Sequence, residues 1–410
     1  MAGHADLLRR FQPQLRYDSQ EAFFADSAAE WTDNPGNELR RAYDDGREGE
    51  LLAATDSESG QAKLSLDFLG HPTYADGTTA RDDDLISSPA RDYRRRYVEL
   101  RQRPGYANVM YGRAREDSDG PLWLQYWLYY FYNDYNLAGG AGLHEGDWEM
   151  VQLRMREDLE HPDLAVYAQH CHAGKAAWQD VERDEGNPEA PLVFVARGSH
   201  ASYFHSGYQE TEAWYDIADG KRKTPKLRLE ILDDDDLPGW VKWLGRWGDT
   251  QPRIPGLHQP SPQGPLPHKQ WRDPKRLLTG AVTAKRLDAA PPPEVSIGRA
   301  QERMTLRFDF SRRGQERPER LVVTVNSAQD KLPPRTFTFA LEPVVRGTLE
   351  TDIELAKGKE YDVYVSTVDA HGRPSASDLV PVDETAPRAK PWQKALSLVS
   401  RTVARLRGHR

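Results

Sequence analysis

The feature that most constrains the fold is an uncharged run of residues, LWLQYWLYYFYN, at positions 122–133. This run is too short to cross a membrane as a helix, which needs about 20 apolar residues. As a strand, it places aromatic side chains on both faces, because successive side chains alternate between the two faces of a sheet. A strand with two apolar faces requires a layer of structure on each side. We therefore predict a strand at Leu122–Tyr132 in the centre of its sheet.

The other apolar segments of the first 285 residues are short and are separated by Gly, Pro and Asp clusters. They predict further strands at Lys63–Leu69, Trp148–Met155, Leu164–His172 and Leu192–Ala196. Strands divided by turn signals, without long helices between them, are typical of an antiparallel sandwich and not of a parallel α/β sheet. We expect a mainly β fold, with a large antiparallel β-sandwich domain and a few helices over residues 1–285. The segments RPGYANVMYGRA and ARDYRR could be helical.

Three prolines at positions 291–293 indicate a domain boundary, because proline cannot continue a helix or a central strand. Short alternating segments after it predict a small β-sandwich over residues 294–385. Its strands are expected at Thr305–Phe310, Leu321–Asn326, Thr336–Leu341, Thr348–Leu355 and Tyr361–Val368.

The last of these strands belongs to the sequence YDVYVSTVDAHGRPSASD, which resembles the penultimate strand and turn of fibronectin type III domains. The resemblance implies that Tyr361 is a buried corner tyrosine and that Gly372 and Ser375 form the turn that follows. Modules of this kind usually bind other molecules or act as spacers. We therefore expect no catalysis from this domain.

The final segment, residues 391–410, predicts a basic amphipathic helix. Its apolar residues recur at helical spacing and its basic residues supply positive charge: Leu396, Val399, Val403, Leu406, Lys394, Arg401, Arg405, Arg407 and Arg410. Such a helix could make a peripheral contact with an anionic membrane, or it could dock to an acidic partner. The alternative is a loosely held C-terminal helix without a partner.

Charge and cysteine content narrow the class of protein further. The formal net charge of −9 argues against nucleic-acid binding, which requires a basic surface. The single cysteine, Cys171, excludes an intrachain disulfide, and the N-terminal residues contain no continuous apolar segment of a secretory signal. These features predict a protein of the reducing cytoplasm, without a transmembrane helix.

The chemically richest segment begins where the central strand ends, at Asp134. A Gly-rich loop, GGAG, then gives the backbone freedom to fold back and present His144. Asp147 and Glu149 lie two positions apart on the next predicted strand, so their side chains leave the same face. Two carboxylates entering a core beside a histidine are costly unless a cation compensates them. We therefore predict a divalent-metal site formed by Asp134, His144, Asp147 and Glu149.

The choice of metal follows from the ligands. Oxygen-rich coordination with one imidazole suits Mg²⁺, Ca²⁺ or Mn²⁺ better than a structural zinc site. A buried histidine–carboxylate network without metal, or charges exposed in a turn, is the alternative interpretation of the same residues.

Three further histidines occur at predicted strand ends, where functional sites are often built. His170 and His172 alternate in LAVYAQHCHAGKAAW, and His200 follows the strand of PLVFVARGSHASYF. We favour a core or turn role for His170. For His172 and His200, functional and structural roles remain equally open, and both are candidate catalytic acids or bases.

Acidic residues near the N-terminus offer a weaker possibility. Asp18, Glu21 and Asp26 could approach the same site, although a solvated turn is the favoured interpretation.

Three blocks of sequence in this order, YWLYYFYND, HEGDWE and ARGSHASYF, resemble the vacuolar protein sorting-associated protein 62 family over most of residues 1–285. HEGDWE also resembles the heptapeptide of the necrosis- and ethylene-inducing peptide-like proteins, in which a His-x-x-Asp-Trp-Glu core binds a divalent cation in a β-sandwich. By position, the resemblance implies His144, Asp147 and Glu149 as ligands, with Asp134 matching an upstream aspartate loosely. Glu145 and Gly146 replace the basic–histidine pair of that heptapeptide, which argues against a toxin-like activity.

These observations favour a binding protein that holds a polar head group, a sugar or a phosphate through the metal. Possible partners are therefore a lipid head group or a carbohydrate. One alternative is a metal-dependent hydrolase in which His172 or His200 acts as acid or base. Another is a purely structural cation that stabilises the fold.

Overall fold

The computed structural model describes residues 2–42, 49–56, 61–88, 92–118, 120–135, 142–170, 172–210, 215–249, 261–284, 294–300, 302–309, 318–327, 335–341, 346–356, 359, 361–368, 378–380 and 382–383. The predicted helix of residues 391–410, the predicted turn at Gly372 and Ser375, and Cys171 lie outside this part of the chain. The chain forms two compact units. The first comprises residues 1–204 and 220–284, and the second comprises residues 205–219 and 285–410.

The helices are short. They are α1 (Ala2–Arg10), α2 (Ala28–Thr32), α3 (Tyr93–Leu100), α4 (Gly239–Lys242) and α5 (Lys269–Arg272), with 3₁₀ turns at Leu66–Phe68, Trp178–Asp180, Asp234–Asp236 and Pro274–Leu278. No helix within the described ranges is long and apolar enough to span a membrane.

Strands dominate the first unit. They are β1 (Gln14–Tyr17), β2 (Glu38–Arg40), β3 (Leu51–Ala54), β4 (Ala62–Lys63), β5 (Leu85–Ser87), β6 (Val109–Glu116), β7 (Leu122–Asn133), β8 (His144–Met155), β9 (Pro162–Gln169), β10 (His172–Ala177), β11 (Arg183–Asp184), β12 (Asn187–Val195), β13 (Ser202–Tyr203), β16 (Arg222–Lys223), β17 (Arg228–Ile231), β18 (Arg246–Trp247) and β19 (Val282–Thr283). The prediction of a mainly β fold with few helices is confirmed.

The strands of the first unit form one seven-stranded and two five-stranded sheets. The seven-stranded sheet has the order β17-β6-β7-β8-β9-β10-β19. One five-stranded sheet has the order β11-β12-β1-β16, with β13 also paired to β12, and the other has the order β18-β5-β2-β3-β4. Most neighbours are antiparallel, but five pairs among the described strands are parallel: β1–β12, β6–β17, β10–β19, β5–β18 and β3–β4. The antiparallel sandwich predicted from the sequence does not include these parallel pairs.

Strand β7 is buried along its whole length, as its aromatic residues on both faces predict. On one face, Tyr130 packs edge-on against Tyr17 of β1. On the other, Tyr129 packs against Trp31 and Trp247. The large aromatic rings thus bring separate layers of the unit onto the two faces of one strand, which accounts for its uncharged sequence.

The parallel pairing of β1 with β12 positions the candidate site. Gln14 lies opposite Leu192, and Tyr17 lies opposite Val195, so both strands end at the same edge of their sheet. The segments that follow them, with Glu21 after β1 and His200 after β12, therefore emerge side by side. They meet the end of β7 and the start of β8, which are joined in register by the pair Asn133–His144.

The second unit contains the hairpin β14 (Gly207–Glu210)–β15 (Tyr215–Ala218) and the strands β20 (Glu294–Ala300), β21 (Arg303–Asp309), β22 (Arg320–Ser327), β23 (Arg335–Ala340), β24 (Arg346–Glu354), β25 (Tyr361–Val368), β26 (Asp378–Val380) and β27 (Val382–Asp383). The hairpin is a separate two-stranded sheet, and strands β20 to β27 form two four-stranded sheets, β24-β21-β20-β27 and β23-β22-β25-β26, around an apolar core. The Tyr361 hydroxyl accepts a hydrogen bond from the Ala356 backbone N–H at 3.0 Å, although the Tyr361 side chain is only half-buried.

Three local predictions differ from the structure. RPGYANVMYGRA is not a helix: its second half, from Val109, belongs to strand β6, because Val109 to Tyr111 are drawn into the core between β7 and β17. Lys63–Leu69 ends as a strand after Lys63 and continues into a 3₁₀ turn. Leu164–His172 is interrupted by a turn between β9 and β10, at which His170 adopts a positive φ of 50°.

Candidate functional site

The loop after β12 turns His200 into the interior. The His200 backbone N–H donates to the Ala196 carbonyl at 3.2 Å, and the Ala196 N–H donates to the Ala201 carbonyl at 3.0 Å. Gly198 has φ 77° and His200 has φ 56°. The left-handed region is ordinary for glycine but unfavourable for histidine, so the contacts around His200 must hold it there.

Two carboxylates flank the His200 ring, which is fully buried. Nδ1 lies 2.9 Å from Oδ2 of Asp147, a hydrogen-bond distance. Nε2 lies 3.7 Å from Oε1 of Glu21, an ion-pair distance that is too long for a hydrogen bond. The Tyr130 ring stacks on the imidazole at 3.9 Å, almost parallel to it. The arrangement is a buried carboxylate–imidazole–carboxylate cluster, here called the Glu21–His200–Asp147 cluster.

The charge state of this cluster follows from its contacts. Burial lowers the pKa of His200, but the hydrogen bond with Asp147 and the nearby Glu21 outweigh burial and raise it to about 9. Burial raises the pKa of Glu21, yet His200 and the backbone N–H groups of Phe23 and Gly198 lower it overall. At neutral pH the ring is therefore an imidazolium between two carboxylates.

Backbone groups fix Glu21 in place. Its Oε1 accepts hydrogen bonds from the backbone N–H groups of Ala22 at 2.7 Å and Phe23 at 2.8 Å, and its Oε2 accepts one from Gly198 at 2.6 Å. Three donors on one carboxylate favour its ionised form. Glu21 therefore joins the segment after β1 to the loop after β12.

His144 lies at the start of β8 and is buried. Its Nδ1 lies 2.7 Å from the Gly146 carbonyl oxygen. Because a carbonyl only accepts hydrogen bonds, Nδ1 carries the proton, and in the neutral ring Nε2 carries the lone pair. Burial lowers the pKa of His144, and the positive charge of His200 lowers it further, although Asp147 partly opposes this. His144 is therefore a neutral imidazole at neutral pH.

The two remaining predicted ligands are less enclosed. Glu149 follows Asp147 by two residues on β8 and is partly exposed. Asp134 directly follows β7, and its backbone N–H donates to the Gly198 carbonyl at 3.1 Å. The Asp134 carboxylate pairs with the Arg94 guanidinium at 2.5 Å. That contact raises the pKa of Arg94, and the charge of Glu21 adds to the rise.

The predicted ligands fit a hard divalent cation in their chemistry, since they offer one neutral imidazole nitrogen and carboxylate oxygens. Their positions do not bring them around one point. Among the side chains that the structure describes, no three His, Cys, Asp or Glu groups lie close enough together to hold a metal ion. Instead, Asp147 is neutralised by His200 and Asp134 by Arg94.

The strand that carries these residues is locked to β18 by close backbone contact. Gly146 has φ 66°, and a Cβ added to it would lie 1.6 Å from the Trp247 carbonyl oxygen. The Glu145 backbone N–H donates to the Asp249 carbonyl at 3.3 Å, and the Asp249 N–H donates to Oε2 of Glu145 at 3.2 Å. Burial raises the pKa of Glu145 to about 8. The Glu145-Gly146 pair, where the resemblance showed a departure, therefore has a structural role.

The other two candidate histidines, His170 and His172, lie at a hairpin turn and not in the buried Glu21–His200–Asp147 cluster. His172 is the first residue of β10 and is exposed at the turn of the β9–β10 hairpin. His170 lies in that turn and packs against the Tyr135 ring at 5.7 Å, which agrees with the turn role expected for it.

The acidic residues near the N-terminus do not form a solvated turn, so that interpretation is wrong. Asp18, Glu21 and Asp26 are all buried. Asp26 accepts hydrogen bonds from the Tyr97 hydroxyl at 2.6 Å and the Asn108 backbone N–H at 2.8 Å. Arg101 lies 3.8 Å from it. The segment after β1 is interior because it lies between that strand and α3.

Asp26 gives the free energy of unfolding a pH dependence that can be tested. Burial raises its pKa from 3.8 to about 6, although Arg101 and Tyr97 oppose the rise. Between these values the unfolded chain releases a proton that the folded chain keeps, so the free energy of unfolding falls as pH rises through this window. The loss is about 3 kcal/mol. We expect Asp26→Asn to remove that slope in urea denaturation from pH 3.5 to 7, whereas the exposed Asp82→Asn keeps it. A wild-type slope preserved in Asp26→Asn would contradict the assignment.

The sequence does not single out two residues that matter here. Arg94 falls only within a possible helix, and Glu21 is one of three acids that could approach the site, with a solvated turn as the favoured interpretation. Neither has a local signal that distinguishes it from neighbouring charges, since Glu21 reaches His200 across 179 positions and Arg94 reaches Asp134 across 40.

Comparison with known proteins adds little to this picture. No family model matches the chain, and no curated protein matches it. One solved structure that aligns with it is the Necrosis and Ethylene inducing Protein 2 from the causal agent of cocoa's Witches Broom disease. That alignment covers 55% of this chain and 72% of the other, with 12% sequence identity and a TM-score of 0.26. A similarity this low carries no conclusion about the function of this chain.

Proposed function

We propose that the protein binds a divalent cation with His144, Asp147, Glu149 and Asp134, whose side chains would converge on the ion as it binds, and holds a polar ligand through that cation. The observation that carries the proposal is the set of hydrogen bonds behind the ligands. His144 donates its Nδ1–H to the Gly146 carbonyl, and Asp147 is held by Nδ1 of His200. Metal-binding histidines and carboxylates are usually oriented by such outer partners.

The ligand chemistry supports Mg²⁺, Ca²⁺ or Mn²⁺ as the cation. A bound cation would supply a fixed positive charge to which oxygen atoms of a head group, a sugar or a phosphate can bind. The residues of this chain then orient the site: Gly146 directs the His144 ring, and His200 directs the Asp147 carboxylate. In this proposal His200 is a positioning residue, because its buried ring reaches no solvent.

The hydrolase alternative has less support. A catalytic acid or base must reach the reacting group, but His200 is enclosed between Glu21 and Asp147, and an imidazolium with a pKa of about 9 is a poor base at neutral pH. His172 is accessible, yet it lies at a hairpin turn and no contact in the described part of the chain joins it to Asp147.

The broader assignments are proposals of the same kind. We propose membership of the vacuolar protein sorting-associated protein 62 family for the first unit, on the three sequence blocks, and a cytoplasmic location. For the second unit we propose a fibronectin type III-like module, supported by its two sheets and by the hydrogen bond between the Tyr361 hydroxyl and Ala356. A lipid head group or a carbohydrate as ligand, and membrane contact through residues 391–410, remain proposals too.

The test is cation binding by the full chain, measured by calorimetry with Mg²⁺, Ca²⁺ and Mn²⁺ and by metal content after purification. We expect one cation per chain. Glu149→Gln should weaken binding at least about tenfold, because it removes a charged ligand from a partly exposed position. Glu157→Gln, at an exposed acid beyond the end of β8, is the matched control. If none of the three cations binds the parent protein, the residues form a metal-free network and the proposal is wrong.

A further inference from the structure

Strand β23 lies at the edge of a sheet in the second unit. Among the strands that the structure describes, it pairs with β22 alone, and its residues from Arg335 to Ala340 lie opposite Val325 to Arg320 with no irregularity in register. A straight edge strand presents a row of backbone N–H and C=O groups along its outer side. Another extended segment can therefore add to the sheet beside β23.

Most edge strands carry features that block such pairing, and β23 does not. In the described part of the chain, β23 and β24 are the edge strands longer than four residues. The register of β24 against β21 is interrupted, and β24 exposes the acidic residues Asp352 and Glu354. The segment Thr336–Leu341 contains neither a charge nor a proline. Because bulges, charges and prolines are what prevents edge-to-edge pairing, the edge of β23 is open to it.

The side chains of β23 also favour a neighbouring strand. Phe337 and Phe339 pack against the apolar core of the second unit but remain partly exposed, whereas Thr336, Thr338 and Ala340 are exposed on the other face. A strand added beside β23 would remove the remaining surface of both phenylalanine rings from water, which stabilises the contact. The exposed threonines and alanine allow a second strand to approach without placing a charge against it.

We propose that β23 is a self-association surface, at which a second copy of the chain adds its own β23 in antiparallel orientation. A two-fold axis keeps the side chains of each face together, and centring it on Thr338 uses the whole strand. Thr338 then lies opposite its own copy, Phe337 lies opposite Phe339, and Thr336 lies opposite Ala340. Aromatic pairs and threonine pairs are favourable neighbours across strands. The strand therefore complements itself, as a two-fold interface requires.

The charged residue of β23 is compatible with this register. The Arg335 guanidinium lies 5.9 Å from the centre of the Phe337 ring and donates to the Glu354 backbone carbonyl at 3.4 Å, both within its own chain. In the two-fold pair, Arg335 lies opposite Leu341, so the two arginines are at opposite ends of the paired strands. One strand pair is a small contact, and we therefore expect a weak dimer whose population rises with concentration.

The test places charges on the two-fold axis. Thr338→Lys sets two like charges opposite each other in the pair and should weaken self-association at least about tenfold, and Thr338→Glu should do the same. An equal mixture of the two variants sets a lysine opposite a glutamate, so association should return to within about threefold of the parent. Thr73→Lys, the same change at an exposed threonine of the first unit, is the matched control and should associate like the parent.

The measurement is sedimentation velocity of the full chain over a series of concentrations, while circular dichroism compares the secondary structure of the variants with that of the parent. A dimerising parent, weakened association in each Thr338 variant and recovery in their mixture support the proposal. A parent that stays monomeric up to about 1 mM overturns it and leaves the edge to a strand of another protein. A dimer that Thr338→Lys leaves intact, a mixture that stays monomeric, or an equal loss in Thr73→Lys also overturns it.

Discussion

Replacing His200 with asparagine should lower the free energy of unfolding by about 3–5 kcal/mol, because it leaves two buried carboxylates without a counter-charge. Glu21 and Asp147 would then face each other across a site that excludes water. Asparagine is the informative replacement, since it tolerates the left-handed φ of 56° at this position better than alanine does. The measured loss then reports the missing charge and not backbone strain.

The measurement is urea denaturation at pH 7 of the parent chain and four variants: His200→Asn, Asp147→Asn, their combination and His172→Asn. His172→Asn is the matched control, since His172 is exposed on the surface, and its replacement should change stability by no more than about 0.5 kcal/mol. A double variant, His200→Asn with Asp147→Asn, should cost less than the sum of the two single changes, because the first change already leaves Asp147 unpaired. A cost below about 1 kcal/mol for His200→Asn would show that the imidazolium does not balance these carboxylates.

Replacing Gly146 with alanine should cost more than 4 kcal/mol, or prevent folding of the first unit, because two backbones meet there. The new Cβ would lie 1.6 Å from the Trp247 carbonyl oxygen. The residue directly after β18 is confined as well, since a Cβ on Gly248 would lie 2.2 Å from the Glu145 carbonyl oxygen. Neither strand can withdraw without breaking the hydrogen bonds between Glu145 and Asp249.

The control for this change is Gly77→Ala. Gly77 also has a positive φ, 86°, but a Cβ added there meets nothing within 4 Å. Its replacement therefore reports only the left-handed backbone and should cost about 1–2 kcal/mol. Thermal and urea unfolding of both variants separate the two contributions. Equal losses for Gly77→Ala and Gly146→Ala would mean that β18 moves aside easily, and that β8 is not locked as the structure indicates.

Several elements of the fold could be read from local sequence because they depend on alternation over a few residues. The predicted strand Leu122–Tyr132 corresponds to β7, and Tyr361–Val368 corresponds to β25 with the same bounds. In both, the pattern of side chains is the cause of the strand, since it decides which faces can be buried. The possible helix at RPGYANVMYGRA is wrong because the side-chain pattern of that segment is weak. Pairing with the neighbouring strands β7 and β17 makes Val109–Glu116 a strand.

The candidate site also has some features that local sequence predicts and others that depend on tertiary packing. The group His144, Asp147 and Glu149 and the turn that presents His200 can be recognised in the sequence, because they lie in or beside predicted strands with a local signal. The sequence alone determined which donor groups stand near the start of β8 and that a central buried strand precedes them. Their partners depend on tertiary packing: the parallel pairing of β1 with β12 brings Glu21 to His200, and the stacking of Tyr93 on Tyr132 brings Arg94 to Asp134. The physical reason is that side-chain alternation is a property of neighbouring residues, whereas charge compensation in a core depends on which distant segments the packing brings within a few ångströms.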